Sequence, residues 1–304
     1  MTRAASTLPR ADGVFRRRLG SRWAWLVAGL FVFALAGLLP GALKALDRHL
    51  AGEPIRNFWG LVRWQEDWSS ARHLPAGLDS QWLERRPAGG LLRIAHALGA
   101  SGSPEADTLS AFAQSRAEGF LLFEVDVWLD SAGRLRCFHG PDDGAESTFN
   151  PPPLQASDCT LDSLLKSLAE GPGWLVLDIK TDFERTGARI VERLRGDDLA
   201  RRVVFQLYRP AHLALFAAWA TAVPLPAPIV TVYAAHRGVQ HIADQLPMLG
   251  VRALTLPLPR AAALQHRPTG VVVLMHPVHD CAAQLEARLA GADGIYTLSG
   301  MRCP

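Results

Sequence analysis

Along residues 91–304, short aliphatic or β-branched runs alternate with segments whose apolar residues recur at helical spacing. The runs fall at 91–96, 120–128, 135–139, 174–180, 202–207, 229–233, 252–256, 271–275 and 294–297, and helices are predicted at 105–118, 161–170, 182–195, 211–220 and 280–290. Alternation of this kind predicts a parallel sheet. The third run follows the second across Asp130-Ser131-Ala132-Gly133-Arg134, too short for a helical crossover, so it is expected to hairpin back onto its predecessor. Eight runs remain, and eight parallel strands in about 214 residues make a compact (β/α)8 TIM barrel. No Gly-x-Gly-x-x-Gly or Walker loop follows any run, which counts against the alternative of an open doubly wound sheet.

Upstream the pattern changes. Residues 23–43 form 21 uncharged positions, about 31 Å of helix and enough to span a bilayer. Six arginines and one aspartate precede them, and Trp23 and Trp25 stand where an interfacial aromatic belt would place them. The expected organisation is a cytoplasmic basic tail (1–22), a transmembrane signal anchor (23–43), a Trp-rich connector (44–90) and the barrel domain (91–304), which then lies on the extracytoplasmic side of the cytoplasmic membrane, periplasmic or extracellular. Ala34-Leu35-Ala36 has the form of a signal-peptide cleavage site, so a cleaved leader is the alternative; either way the barrel is exported. The connector holds Trp59, Trp64, Trp68 and Trp82 and is expected to pack on the outside of the barrel or to lie along the membrane.

The net charge of +3 is concentrated in the first 22 residues, which carry +5, so the rest of the chain sums to −2 and has no basic excess to track a phosphate backbone; no nucleic-acid partner is expected. With 49% hydrophobic and 20% charged residues the chain is not a disordered one. Its four cysteines, Cys137, Cys159, Cys281 and Cys303, fit no metal-binding spacing, and export permits disulfides in any of three pairings.

Buried parallel strands should read as nearly continuous hydrophobics, yet polar residues recur at the carboxyl ends of these runs. His96 closes the first. Glu124 and Asp126 lie two apart and leave one face of the second, and Asp178 and Lys180 repeat the spacing in the fourth. In a barrel these ends converge on one mouth. Three converging carboxylates raise one another's pKa unless positive charge lies among them, and one lysine neutralises only one of them, so Glu124, Asp126 and Asp178 are expected to hold a hard divalent cation, Mg²⁺ or Ca²⁺. The chain has only 3 lysines among its 32 basic residues, so Lys180 is not a default choice; its compact charge suits a phosphate oxygen or a carboxylate beside the metal. His139 ends the hairpin run. Two imidazoles, a metal and a lysine in one cavity suit acid and base work on a phosphodiester, with His96, His139 and Lys180 as the catalytic groups.

Read together, Ile94-Ala95-His96, the Pro104-to-Phe112 segment, Glu124-Val125-Asp126, His139, Asp178-Ile179-Lys180 and the Gly291-to-Thr297 segment resemble the glycerophosphodiester phosphodiesterase family, over about residues 91–300. The resemblance implies a (β/α)8 barrel, one Mg²⁺ or Ca²⁺ ion and hydrolysis of a glycerol phosphodiester. It puts the family's paired histidines on His96 and His139, its acidic pair on Glu124 and Asp126 and its Glu-x-Lys on Asp178 and Lys180. In the family, attack by the neighbouring glycerol hydroxyl gives a cyclic phosphate that water then opens.

The departures bear on function. Where the family has His-Arg-Gly this chain has His96-Ala97-Leu98-Gly99, so the phosphate-gripping arginine is missing. The Pro-Glu-Asn-Thr element reads Pro104-Glu105-Ala106-Asp107-Thr108, one residue further from His96, which leaves Glu105 as either a substrate-binding group or an acid in a helix's first turn. Gln206 at a strand end and His276, where the family often has Trp, are further substrate-binding candidates. His279 is read as a helix start, Trp128 as packing for the hairpin, and His212 as a polar side chain on the surface. The leading expectation is a membrane-tethered, metal-dependent phosphodiesterase acting on glycerophosphodiesters or lysophospholipids. The alternatives are an enzyme resembling the sphingomyelinase D type of phospholipase D, which leaves a cyclic phosphate, and a barrel without turnover that serves as a binding module.

Overall fold

The computed structural model describes residues 68–86, 90–100, 106–140, 158–232 and 238–303. Among the described residues there are nine strands: β1 (Leu92–Ala95), β2 (Leu122–Leu129), β3 (Leu135–Cys137), β4 (Trp174–Ile179), β5 (Val203–Leu207), β6 (Ile229–Thr231), β7 (Ala253–Pro257), β8 (Val272–His276) and β9 (Gly294–Thr297). All neighbours pair in parallel except β2 with β3, the predicted hairpin, in which Val127 faces Cys137. The sheet closes, because β1 pairs with β9 on one side and with β2 on the other, Ala95 facing Thr297 and Phe123. Closure excludes the open doubly wound sheet and leaves an eight-stranded parallel barrel with β3 added at the end of β2.

The helices are α1 (Leu109–Ala117), α2 (Leu161–Ala169), α3 (Phe183–Leu194), α4 (Pro210–Ala222), α5 (Val239–Gln245) and α6 (Cys281–Leu289). Side-chain caps fix several starts: the Oδ1 of Asp182 and of Asp280 accept from Arg185 and Ala283 N–H at 2.7 and 2.8 Å. The first helix begins four residues later than the pattern suggested, because Thr108 Oγ1 accepts from Ala111 N–H and the preceding Asp107 has φ +55°. The short α5 was missed; its seven residues give too few apolar repeats to register a period.

Period-two alternation decides what fills the barrel. Ile94, Leu122, Val176, Val204, Ile229, Ala253, Leu274 and Tyr296, one from each barrel strand, form a single buried cluster. Trp82 joins this cluster, fully buried, its indole N–H donating to the Ala227 carbonyl at 3.0 Å. The connector was expected on the outside; instead its tryptophan enters the barrel interior, the largest apolar side chain available to fill that end. Trp68 also packs into the core, while Trp59 and Trp64 lie outside the described residues.

Two residues further along the strands, the same inward face turns polar: His96, Glu124, Asp178, Gln206, Thr231, Thr255 and His276. The outer faces of the strands meet the helices in a second, larger apolar cluster. His212 is half-buried against this packing: it lies flat on Phe183, centroids 3.7 Å apart, and its Nδ1 accepts from Tyr208 N–H. Trp128 packs the hairpin as expected, edge-on to Phe138 at 5.9 Å.

The cysteines pair as Cys137–Cys159 and Cys281–Cys303, each bond closing 22 residues of sequence separation. Cys137–Cys159 thereby ties the end of β3, beside His139, to the start of α2. Among the described residues no helix is long and apolar enough to cross a membrane; the 23–43 run lies outside them.

Candidate active site

The polar layer is asymmetric, with the charged groups gathered on and just after β2 and β4. Register puts Asp126 directly opposite Asp178 on adjacent strands, and Glu124, two residues earlier on β2 and paired with Val176, enters from the same face. One carboxylate oxygen from each of Glu124, Asp126 and Asp178 lies within 4.8 Å of the others, and all three residues are buried. Lys180 closes the group, Nζ at 2.9 Å from Asp126 Oδ1 and 2.7 Å from Asp178 Oδ2.

The chain after β1 shapes the other wall. Ala97 and Leu98 both adopt left-handed backbone, φ +48° and +62°, a conformation disfavoured for residues with a Cβ. Gly99 follows at φ +104°, where a Cβ would stand 1.9 Å from Ser115 Oγ, so only glycine fits. This turn aims the Ala97 N–H at Glu124 Oε2, 2.7 Å away, and its carbonyl accepts from Asp107 N–H. The position where the resembling family carries arginine is thus a buried alanine whose backbone fixes a carboxylate.

Asp107 was not picked out from the sequence. It is buried and accepts from Asp126 N–H through Oδ1 at 3.0 Å. Burial and the Asp126 charge push its carboxyl well above the usual carboxylate range. Its place immediately before Thr108, in an element already singled out, was the available signal. Glu105 lies outside the described residues.

Glu124 is likewise held well above the ordinary carboxylate range, by burial first and then by Asp126, Asp178 and Asp107. For Asp126 burial works upward too, but Lys180, His139 and His96 outweigh it and bring the group below its usual value. Lys180 shows the converse: burial alone would lower it, and the Asp126, Asp178 and Glu124 charges raise it well above the normal lysine value. One ammonium therefore offsets part of a larger negative charge. A hard cation with oxygen ligands at about 2.1 Å (Mg²⁺) or 2.3–2.6 Å (Ca²⁺) can reach oxygens spaced this way, and the uncompensated charge on a buried acidic group is the environment such an ion requires. The residues fit a divalent cation; they do not distinguish the two ions.

Burial pushes the His96 imidazole down to about 4, against the pull of Asp126 and with help from His279, Lys180 and His139, so it is neutral near pH 7. His139 is exposed at the hairpin's end, near enough to interact electrostatically with both Asp126 and His96. His279 does not start the helix; Asp280 takes that place as cap, and His279 Nε2 lies 3.1 Å from His96 Nδ1. His276 is held down to about 3 by burial and by the neighbouring His96, with its ring edge-on to Tyr296 at 5.9 Å.

The opposite half of the layer is uncharged. Gln206 Oε1 accepts from Thr231 Oγ1 at 3.1 Å and from Tyr296 O–H at 2.9 Å, and Thr255 Oγ1 donates to the Tyr296 oxygen at 3.4 Å. Both lone pairs of the Gln206 carbonyl are thereby used, which leaves the amide N–H₂ as its group for a ligand. Thr231, Thr255 and Tyr296 were not foreseen; their strand-end, inward-facing positions follow the same two-residue spacing as His96 and Asp178.

A closed parallel barrel with carboxylates, histidines and a lysine at the carboxyl ends of its strands defines an α/β-barrel protein with the layout of an enzyme site. Comparison with solved structures places its architecture more narrowly. A phosphodiesterase from Oleispira antarctica, in complex with the product sn-glycerol-3-phosphate, superposes with a TM-score of 0.52 at 20% identity over 71% of this chain and 94% of that one. A glycerophosphodiester phosphodiesterase from Parabacteroides distasonis gives 0.52 at 16% identity, over 68% and 92%. The chain has the barrel fold of the glycerophosphodiester phosphodiesterases. No protein-family model and no curated protein sequence matches it.

Proposed function

We propose that the chain is a metal-dependent phosphoric diester hydrolase acting on glycerophosphodiesters or lysophospholipids. The observation that carries this reading is the meeting of Glu124, Asp126 and Asp178 with Lys180 and neutral His96 in one buried layer. The Oleispira antarctica structure, with its bound sn-glycerol-3-phosphate, supports a glycerophosphodiester-type substrate.

In this reading Glu124, Asp126 and Asp178 hold one Mg²⁺ or Ca²⁺ ion. When bound, the ion supplies positive charge to the phosphate oxygens. His96, neutral at working pH, takes the proton of the attacking hydroxyl; His139 gives a proton to the departing alkoxide oxygen. Lys180, held charged by its carboxylate partners, meets a phosphate oxygen at the edge of the acidic group. The Gln206 amide and His276, on the uncharged half, orient the glycerol or lipid portion. Export of the barrel is part of the proposal and is supported by two disulfides, bonds that persist in oxidising compartments, and by the uncharged 23–43 run as its membrane anchor.

The test is turnover of glycerophosphocholine and lysophosphatidylcholine by the full chain, with and without EDTA, products identified by phosphorus NMR. Metal-dependent release of glycerol 3-phosphate, or of its acylated form, supports the reading. A cyclic phosphate as final product would transfer it to the phospholipase D-like alternative. No turnover by folded, metal-binding protein would leave a binding module. For the anchor, the full chain should stay in the membrane fraction after a high-salt wash, and release would contradict it.

A further inference from the structure

His96 draws its hydrogen-bond partner from the far end of the chain. The segment between β8 and α6 is held at both ends: Val278 is buried with its N–H donating to the Tyr296 carbonyl at 2.9 Å, and Asp280 caps the helix that follows. His279 stands between these fixed points, half-buried. Its Nε2 meets His96 Nδ1 at 3.1 Å, with ring centroids 5.1 Å apart and planes inclined at 40°.

Two neutral imidazoles in hydrogen-bond contact share one hydrogen, so one nitrogen must donate and the other accept. The hydrogen bond made by one ring nitrogen sets the state of the other. If Nδ1 of His96 carries the hydrogen, its Nε2, at the other end of the ring, is bare and can accept a proton; if it does not, Nε2 carries one and cannot.

We propose that His279 is a positioning residue that accepts from His96 Nδ1–H and so holds His96 in the tautomer whose bare Nε2 serves as the base. The inference rests on the reading of His96 as the base. In the step it serves, the substrate hydroxyl's O–H bond breaks and its proton joins His96 Nε2, the electron pair left on oxygen forms the new bond to phosphorus, and the P–O bond to the departing alkoxide breaks, that oxygen keeping the bond's electrons and taking a proton from His139. The His96 ring becomes an imidazolium whose Nδ1–H bond to the neutral His279 strengthens as charge develops. Charged groups that bear on His96 are Asp126 on β2, Lys180 after β4 and His139 after β3, while Asp280 bears on His279; none of them is bonded to His96 Nδ1.

The test reads the tautomer directly. Long-range ¹H–¹⁵N correlation spectra of the full chain, labelled at histidine nitrogen and recorded near neutral pH, should show His96 with a protonated Nδ1 and a bare Nε2. His279→Ala should move His96 toward the Nε2–H tautomer and lower kcat by at least about tenfold with KM little changed, since proton transfer depends on which nitrogen is free. His279→Asn, which restores an acceptor oxygen, should recover the tautomer and most of kcat. An Nε2–H tautomer in the wild type, or a His96 spectrum unchanged in His279→Ala, would overturn the inference. Should His279→Ala not fold, the wild-type and His279→Asn spectra still decide it. The expected tautomer in a protein that turns over no diester would defeat the function while leaving the positioning intact, so the two failures are distinguishable.

Discussion

Replacing Lys180 with Met removes an ammonium while keeping a side chain of similar length. The ammonium lies 2.7 Å from Asp178 and 2.9 Å from Asp126, carboxylates whose side chains are 10% and 8% exposed, and is itself 22% exposed. At an effective dielectric of about 20, each contact is worth about 6 kcal/mol of gross attraction, most of it offset by desolvation of the ions. Deleting one partner of a buried pair costs about 3–5 kcal/mol because the other charge is left uncompensated, and the partial exposure of Lys180 places the expectation near the lower end, about 3 kcal/mol. For a domain of this size that lowers Tm by about 6–12 °C. The assay is thermal unfolding followed by circular dichroism, in EDTA and again with Mg²⁺ or Ca²⁺. The cation should raise the Tm of Lys180→Met more than that of the wild type, since the variant's carboxylates have nothing else to neutralise them. A variant as stable as the wild type in EDTA, or an equal cation shift in both proteins, would refute the electrostatic account of this cluster.

Other perturbations probe the same layer. Asp126→Asn and Asp178→Asn should each abolish divalent-dependent turnover in the diester assay; full activity in either would remove that carboxylate from the metal site. Because burial holds the neutral form of His96 down to about pH 4, kcat/KM at saturating cation should show no loss as pH falls from 7 to 5, and an acid limb centred near 6.5 would contradict the assignment of His96 as base. A histidine depressed in the folded state, as His96 is, contributes stability that is complete above about pH 6.5 and lost as pH falls through about 4. Removing Cys137–Cys159 by a double Cys→Ser change should cost about 3 kcal/mol in urea unfolding, the loop-closure value for a bond over this separation, and an unchanged midpoint would show that the link adds nothing.

All nine strands lie where hydrophobic runs predicted them, and the candidates on the barrel strands, Glu124, Asp178, Gln206 and His276, share the inward face, while His139 is exposed at the end of the hairpin. A period of two is a local property: once Leu122 and Val176 face the core, Glu124 and Asp178 must face the same way, whatever the rest of the chain does. Helix starts marked by Asp182 and Asp280 were legible in the same local sense, because a cap acts within three residues. Elements that rest on few residues escaped: α5, with its two turns, and the left-handed turn Ala97-Leu98, whose conformation neither residue prefers and which only the closed packing around Ser115 and Glu124 stabilises.

The sequence by itself determined the class of fold and the chemistry of the acidic group, because strand periodicity and the types of side chain at strand ends are written along neighbouring positions. Tertiary structure alone decided what depends on distance in the chain: barrel closure through β1 and β2, the pairing of four cysteines, the entry of Trp82 into the barrel, the buried Asp107 bonded to Asp126 N–H, and the contact of His279 with His96 across 183 residues. Each of these joins groups whose proximity exists only once the strands have closed, and closure is a cooperative property of the whole barrel, invisible in any local window of the sequence.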